Sequence, residues 1–438
     1  MMKSAFNILS AIGVVLVLLI SFNAQAVEIR EVRSSSGVTA LLVEDYTLPL
    51  ISLSYAFGAG TSQDPDGRTG NVRLMSALID EGAGDLDSAS FQAKLEDFGI
   101  EFSFSSARDF LSGGLRFLRS DRQTAFEMLN LALTEPRFDP DAIERMRDAI
   151  RTGIERSRTN PGAIASIALN ETLFGEHPYS RRAAGNEQSI KLISRDDIVA
   201  MHKRLFARDH LTIGVVGAIS ESELKQVLDV VFSDLPLESE TVVVTNVEPK
   251  LGETVTIDMP VPNTNISLVY KGLKRDDPDF FAAHLMNHIL GGGTFSSRLY
   301  SEVREKRGLA YGVYSGIAAY ENAAYLTAGT STRADNQVEA VKVIRGEITK
   351  LAEQGVTVSE LEAAKKFVIG SYAINNLDTS GKIARVLVAI QTQNLGIDYI
   401  DKREALIDSV TLEDVNRVAK KLLSVDPTQI VVGPAVTQ

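Results

Sequence analysis

Ile51-Ser52-Leu53-Ser54-Tyr55 returns 215 residues later as Ile266-Ser267-Leu268-Val269-Tyr270, and that return decides the fold. Each run alternates in the manner of a half-buried strand. Asp64-Pro65-Asp66 returns as Asp277-Pro278-Asp279, again just ahead of a helical stretch, and Arg119-Ser120-Asp121-Arg122-Gln123 is echoed by Arg333-Ala334-Asp335-Asn336-Gln337. The ends match best. Ser194 to Val216 aligns without a gap on Thr411 to Gly433, and both copies read as a capped helix feeding a strand. The caps are Ser194 with Asp197 and Thr411 with Asp414; the strands are Leu211–Val216 and Gln429–Val432.

A repeat of that length is too long for a solenoid and implies a duplicated domain. Helical patterns such as Asp141–Arg158 and Ser359–Tyr372 alternate with the strands, so the expected class is α+β: two tandem homologous domains, each a mostly antiparallel sheet covered by helices. Pro236, Pro249 and a Glu-rich composition mark a linker around Leu235–Gly252. The expected domains are 27–240 and 253–438, with the linker proper at 241–252.

Residues 1–26 read as an export signal: Lys3, an apolar run from Ile8 to Ile20, then Ala24-Gln25-Ala26. The run is shorter than the ~20 residues a bilayer requires, so cleavage after Ala26 and a periplasmic location are expected, without stable membrane insertion. Of 438 residues, 44% are apolar and 23% charged, an ordinary globular balance. A net charge of −12 argues against nucleic acid as a partner. The chain has no cysteine, which removes thiol nucleophiles, disulfides and thiolate metal sites together. Neither nucleotide fingerprint fits Gly58–Gly60, Gly82–Gly84 or Gly291–Gly293, and no G-x-S-x-G elbow is present.

Metal or general-base chemistry must therefore draw on five histidines: His177, His202, His210, His284 and His288. His284 and His288 stand at i and i+4, on one helix face, where two imidazoles can share a cation. Asn287 sits between them where a hydrolytic motif needs a carboxylate. The plainer reading is two partly buried histidines with hydrogen-bonded N–H groups beside Leu285 and Met286.

Gly291-Gly-Gly-Thr-Phe-Ser-Ser-Arg-Leu299 and Val303-Arg304-Glu305-Lys306-Arg307-Gly308-Leu309-Ala310-Tyr311-Gly312-Val313-Tyr314-Ser315 make the resemblance specific. The block is similar to the C-terminal signature of the insulinase/pitrilysin-type zinc metallopeptidase family, in its two-domain, processing-peptidase-like branch. Asp64-Pro65-Asp66-Gly67-Arg68-Thr69-Gly70 and Leu173-Phe174-Gly175-Glu176-His177-Pro178-Tyr179 resemble the same family. Its members carry His-x-x-Glu-His on the helix after the Thr-Gly. That pattern falls here on Arg73, Ser76 and Ala77, and the family's third ligand falls on Gly153 when Asn160-Pro161 is matched to the same pair. None of these four binds zinc or serves as a base at neutral pH.

What the resemblance leaves is an Arg and a Tyr seven residues apart, Arg304 and Tyr311, which in the family reach a bound peptide from the second domain. A guanidinium and a phenol are suitable donors to peptide carbonyls. The competing reading makes Arg304 a surface helix residue and Tyr311 a core strand residue. Arg298 and Arg307 read as structural or solvated, and Gly291–Gly293 as a helix C-cap and loop. The resemblance thus implies a non-catalytic, peptide-binding subunit of a periplasmic heterodimer, with no cofactor of its own and zinc in a homologous partner. The alternatives are a purely structural scaffold and an independent metal protein using His284 and His288.

Overall fold

The computed structural model describes residues 28–435. The signal segment 1–26 and its cleavage point lie outside the described residues. The alternating run at Ile51 becomes β3 (Leu50–Phe57) of a six-stranded sheet. Its companions are β1 (Arg30–Arg33), β2 (Thr39–Glu44), β4 (Glu101–Ser106), β5 (Leu111–Leu118) and β6 (Leu211–Gly217), in the order β1-β2-β6-β3-β5-β4. The second sheet holds β7 (Thr254–Asp258), β8 (Asn263–Lys271), β9 (Ala310–Ala319), β10 (Ala324–Arg333) and β11 (Thr428–Gly433). Its order, β7-β11-β8-β10-β9, repeats β2-β6-β3-β5-β4 strand for strand. Only β2 with β6 and β7 with β11 run parallel; every other pair is antiparallel. The strand that follows each capped helix is the one that enters the middle of the sheet. Both caps are present as reciprocal boxes, Ser194 with Asp197 and Thr411 with Asp414.

One face of each sheet packs on helices of its own half. Ile51, Leu53, Tyr55 and Phe57 point into the first core, and Leu268 and Tyr270 into the second. The opposite faces are covered by exchange. The helix Pro161–Phe174 of the first half lies on β8 and β11, with Ala165 and Ala168 against Ile430 and Val432. The helix Ser380–Thr392 of the second half lies on β3 and β6, with Ala384 and Leu387 against Val216, Leu41 and Val43. Gly214 permits this approach, since a Cβ there would stand 2.4 Å from the Ala384 carbonyl oxygen.

The exchange corrects the expectation of half-buried strands. β3 is buried on both faces, and Ser52 on its far side meets Ser380 at 2.8 Å. Strands covered on both sides read as near-continuous apolar runs, as Ala40–Val43 and Ile213–Val216 do. Each fully buried aliphatic side chain at such a seam contributes roughly 1.5–3 kcal/mol.

Between the helix Glu221–Phe232 and β7 the chain has neither helix nor strand. It is fastened to both halves: Gln63 brackets the backbone of Val242, and Val247 N–H donates to the Asn322 carbonyl at 2.8 Å. Among the described residues no helix is long and apolar enough to cross a membrane.

Candidate functional site

The lead-in loop of the first half ends at Gly70, whose φ of 97° suits glycine, and the helix Asn71–Ser76 follows. Asp64 organises this turn. Its buried carboxylate accepts the N–H groups of Gly70 at 2.7 Å and Val72 at 2.8 Å, occupying helix donors that have no intrahelical partner. Burial pushes its pKa up to about 6, against the pull of those two N–H groups and of Arg181. On the helix, Arg73 is exposed. The Ser76 hydroxyl donates to the Arg73 carbonyl at 2.9 Å and lies 3.0 Å from the Ser106 hydroxyl at the end of β4. Ala77 offers only a methyl group. Gly153, midway along the helix Pro140–Arg158, has open space where its side chain would be. A guanidinium has no lone pair for a metal, and a methyl and a hydrogen have none at all, so these four residues do not fit zinc. Among the described residues no group of three or more metal-ligating side chains comes together.

In the second half, the helix Phe280–Asn287 carries His284, and His288 opens a π turn that continues through Gly292. Neither imidazole has a hydrogen-bond partner among the described residues, contrary to the expectation of satisfied N–H groups. They stack instead, His284 on Phe280 and His288 on Phe367. The His284 pKa is pushed down to about 4, first by burial and then by Arg403, His288 and Arg275. Asn287 serves the fold: its side-chain oxygen accepts the Ser315 hydroxyl at 2.7 Å, tying the helix to β9. Gly291 and Gly292 end the π turn, and Gly293 caps it as expected, its N–H donating to the His288 carbonyl at 2.8 Å. Glycine is needed at 291 because a Cβ would stand 2.6 Å from the Ser315 backbone nitrogen.

Arg304 and Tyr311 come together. Arg304 lies on a second π turn, Tyr300–Glu305, and Tyr311 lies at the start of β9 where the ladder with β10 slips between Ala310 and Val313. That bulge takes Tyr311 out of register and turns it outward, 85% exposed. The reading of Tyr311 as a core residue is therefore corrected. The Arg304 guanidinium carbon sits 4.4 Å from the Tyr311 ring centroid and 4.9 Å from that of Tyr300. Among the described residues neither the Arg304 guanidinium nor the Tyr311 hydroxyl has a hydrogen-bond or ion-pair partner. The pair is thus a held but unspent set of donors.

Its neighbours are spent. Arg298 donates twice to Glu360, at 2.6 and 2.8 Å, and to the Gly355 carbonyl; Arg307 is bound to Glu302. Tyr300 was missed by sequence reasoning, although its i, i+4 spacing from Arg304 was available. Also missed was the bridge at His177-Pro178-Tyr179. There the Tyr179 hydroxyl donates to Asp109 of the first half and accepts the Asn322 N–H of the second at 3.1 Å.

Comparison with known proteins bears on the family and the fold. Residues 41–187 match the family described as insulinase (peptidase family M16), and residues 192–368 match the peptidase M16 inactive domain. A Helicobacter pylori protein named non-peptidase homolog YmxG is 25% identical over 366 residues, 82% of this chain and 83% of that one. A Bacillus subtilis uncharacterized zinc protease, also YmxG, is 22% identical over 409 residues, 93% of this chain and 98% of that one. The crystal structure of a peptidase M16 inactive domain from Pseudomonas fluorescens superposes with a TM-score of 0.88 at 30% identity, covering 94% of this chain and 99% of that one.

Proposed function

The chain belongs to the insulinase family, peptidase family M16, and from that premise we propose that it is a non-catalytic, peptide-binding subunit of a periplasmic heterodimeric metallopeptidase. The zinc belongs to a homologous partner; this chain contributes Arg304 and Tyr311. One observation carries the reading: the Arg304 guanidinium lies against the rings of Tyr300 and the exposed Tyr311, and among the described residues neither it nor the Tyr311 hydroxyl has a partner. Free donors held in place at no further cost are what a peptide carbonyl requires, and more so as its oxygen gains negative charge. The residues at 73, 76, 77 and 153 support inactivity of the chain alone. The name of the Helicobacter pylori relative points the same way.

The test is a reconstituted complex. Copurification from the native periplasm identifies the partner, and a quenched fluorescent peptide library supplies the substrate. The pure chain should bind no zinc and cleave nothing. Tyr311→Phe should lower kcat of the complex about 100- to 1000-fold with assembly intact, the size of one lost oxyanion donor. Arg304→Ala should raise KM as well, since it removes ground-state affinity. Wild-type rates from both assembled variants would leave a scaffold role instead.

A further inference from the structure

A cleft of about 380 Å³ opens where the helices Phe280–Asn287, Val358–Asn376 and Tyr399–Asp408 meet, and neither Arg304 nor Tyr311 lines it. We propose that this cleft binds a small organic carboxylate with an aromatic or apolar body.

The argument starts from two charges without counter-ions. Arg403 is only 8% exposed, yet among the described residues no carboxylate lies within 4.0 Å of it or of Arg275. Arg403 donates to the Val368 carbonyl at 3.3 Å, and its guanidinium carbon lies 3.9 Å from the Tyr372 ring centroid. Arg275 donates to the Tyr399 hydroxyl at 2.9 Å and lies 4.3 Å from the Phe280 centroid. The nearby carboxylate of Asp279 is taken by Arg417 and Lys421. A guanidinium stays protonated, and buried charges in proteins are paired. Two unpaired guanidinia lining one cleft call for an anion.

The remaining lining narrows the ligand. His284 and His288 border the cleft, and both are held neutral by burial, with Arg403 and Arg275 adding to the effect at His284. A cation would meet two guanidinia there, so a metal is disfavoured although two imidazoles are present. Phe280, packed against Arg275, and Phe367, 57% exposed, also line the cleft. An inorganic anion would leave the Phe367 ring wet. A carboxylate with a flat or apolar body covers it and meets the guanidinia at the same time. The volume suits a small molecule rather than a folded partner.

N-acetyl-phenylalanine is the probe, with N-acetyl-phenylalaninamide and sulfate as controls, titrated into the full-length protein at pH about 6.5, the ordinary imidazole pKa. Calorimetry should give a submillimolar Kd for the acid. The imidazole C–H resonances of His284 and His288, assigned with His→Gln variants, should shift, and their pKa values should rise as the anion enters. The amide should bind at least about tenfold more weakly, and Arg275→Gln should cost the acid about tenfold. Phe367→Ala, at an exposed position that folding should tolerate, should weaken the acid and spare sulfate. No resonance shift at about 10 mM acid, a range that still detects millimolar binding, overturns the proposal. So does equal binding of the amide, and so does sulfate matching the acid, which would mean an inorganic anion site only. If Arg275→Gln unfolds, the amide control and Phe367→Ala decide the matter alone.

Discussion

Arg73-Leu74-Met75-Ser76-Ala77 and His284-Leu285-Met286-Asn287-His288 occupy corresponding places in the two halves, each following a central strand and an Asp-Pro-Asp loop. The inner residues are kept: Leu74, Met75, Leu285 and Met286 are all fully buried. The outer ones differ in every chemical respect. In the first half they are an exposed guanidinium, a hydroxyl bonded within its own helix and a methyl. In the second they are two neutral imidazoles beside unpaired cations and an amide tied to β9. The buried Leu–Met pair holds each helix in its place, so the residues flanking that pair can change their chemistry without changing the fold. One scaffold can therefore lose a site in one half and carry a different one in the other.

The harshest way to break this comparison is to put the family's ligands into the first half. Arg73→His, Ser76→Glu, Ala77→His and Gly153→Glu together should produce one zinc per chain at micromolar affinity or tighter, a gain of about 8 kcal/mol where there was none. Elemental analysis after gel filtration reads it. A folded variant without zinc would show that these four positions are not in register.

Acid should separate the halves next. His202 in the first half and His284 in the second are both pushed down to about 4, mainly by burial. An imidazole lowered on folding gives stability that is complete above pH 6.5 and lost as pH falls toward 4, about 3 kcal/mol each. Asp64 acts in the opposite sense. Its carboxyl is raised to about 6, so stability is regained as pH falls from about 6 toward 3.8. Within the first half the two nearly cancel. In the second half the only raised carboxylate among the described residues is Glu321, which is solvent-exposed. Hydrogen exchange at pH about 5 should show amides of β8 to β11 losing about 2 kcal/mol of protection relative to pH 7, beyond any loss in β2 to β6. Equal losses would refute the asymmetry.

The smallest effect distinguishes the two core tyrosines. Tyr55 is fully buried, and its hydroxyl has no partner, whereas the hydroxyl of its counterpart Tyr270, 3% exposed, is not among the buried unpartnered groups of the described residues. Burial raises the pKa of both phenols. Tyr55→Phe should stabilise the chain by about 1 kcal/mol by deleting an unsatisfied polar group, and Tyr270→Phe should change it by less than about 0.5 kcal/mol. Urea midpoints measure both.

The duplication, the capped helices at Ser194 and Thr411 and the lack of any ligating atom in Arg73, Ala77 and Gly153 were all legible in the sequence, whereas their match to the family's ligand positions came from the resemblance alone. Each is either a pattern of period two or 3.6 or a plain matter of which atoms a side chain owns, and neither depends on distant residues. The tertiary structure alone decided the rest. Tyr311 reads as a strand residue, and only the slip between Ala310 and Val313 makes it a projecting one. The second burial of β3 required a helix more than 300 residues away, Ser380–Thr392, to arrive from the other half. Arg275 and Arg403 look like ordinary surface cations until three helices bring them to one cleft without a carboxylate. Periodicity says which face of an element is apolar; what lies against that face, and whether a charge finds its counter-ion, is set by contacts between residues far apart in the chain.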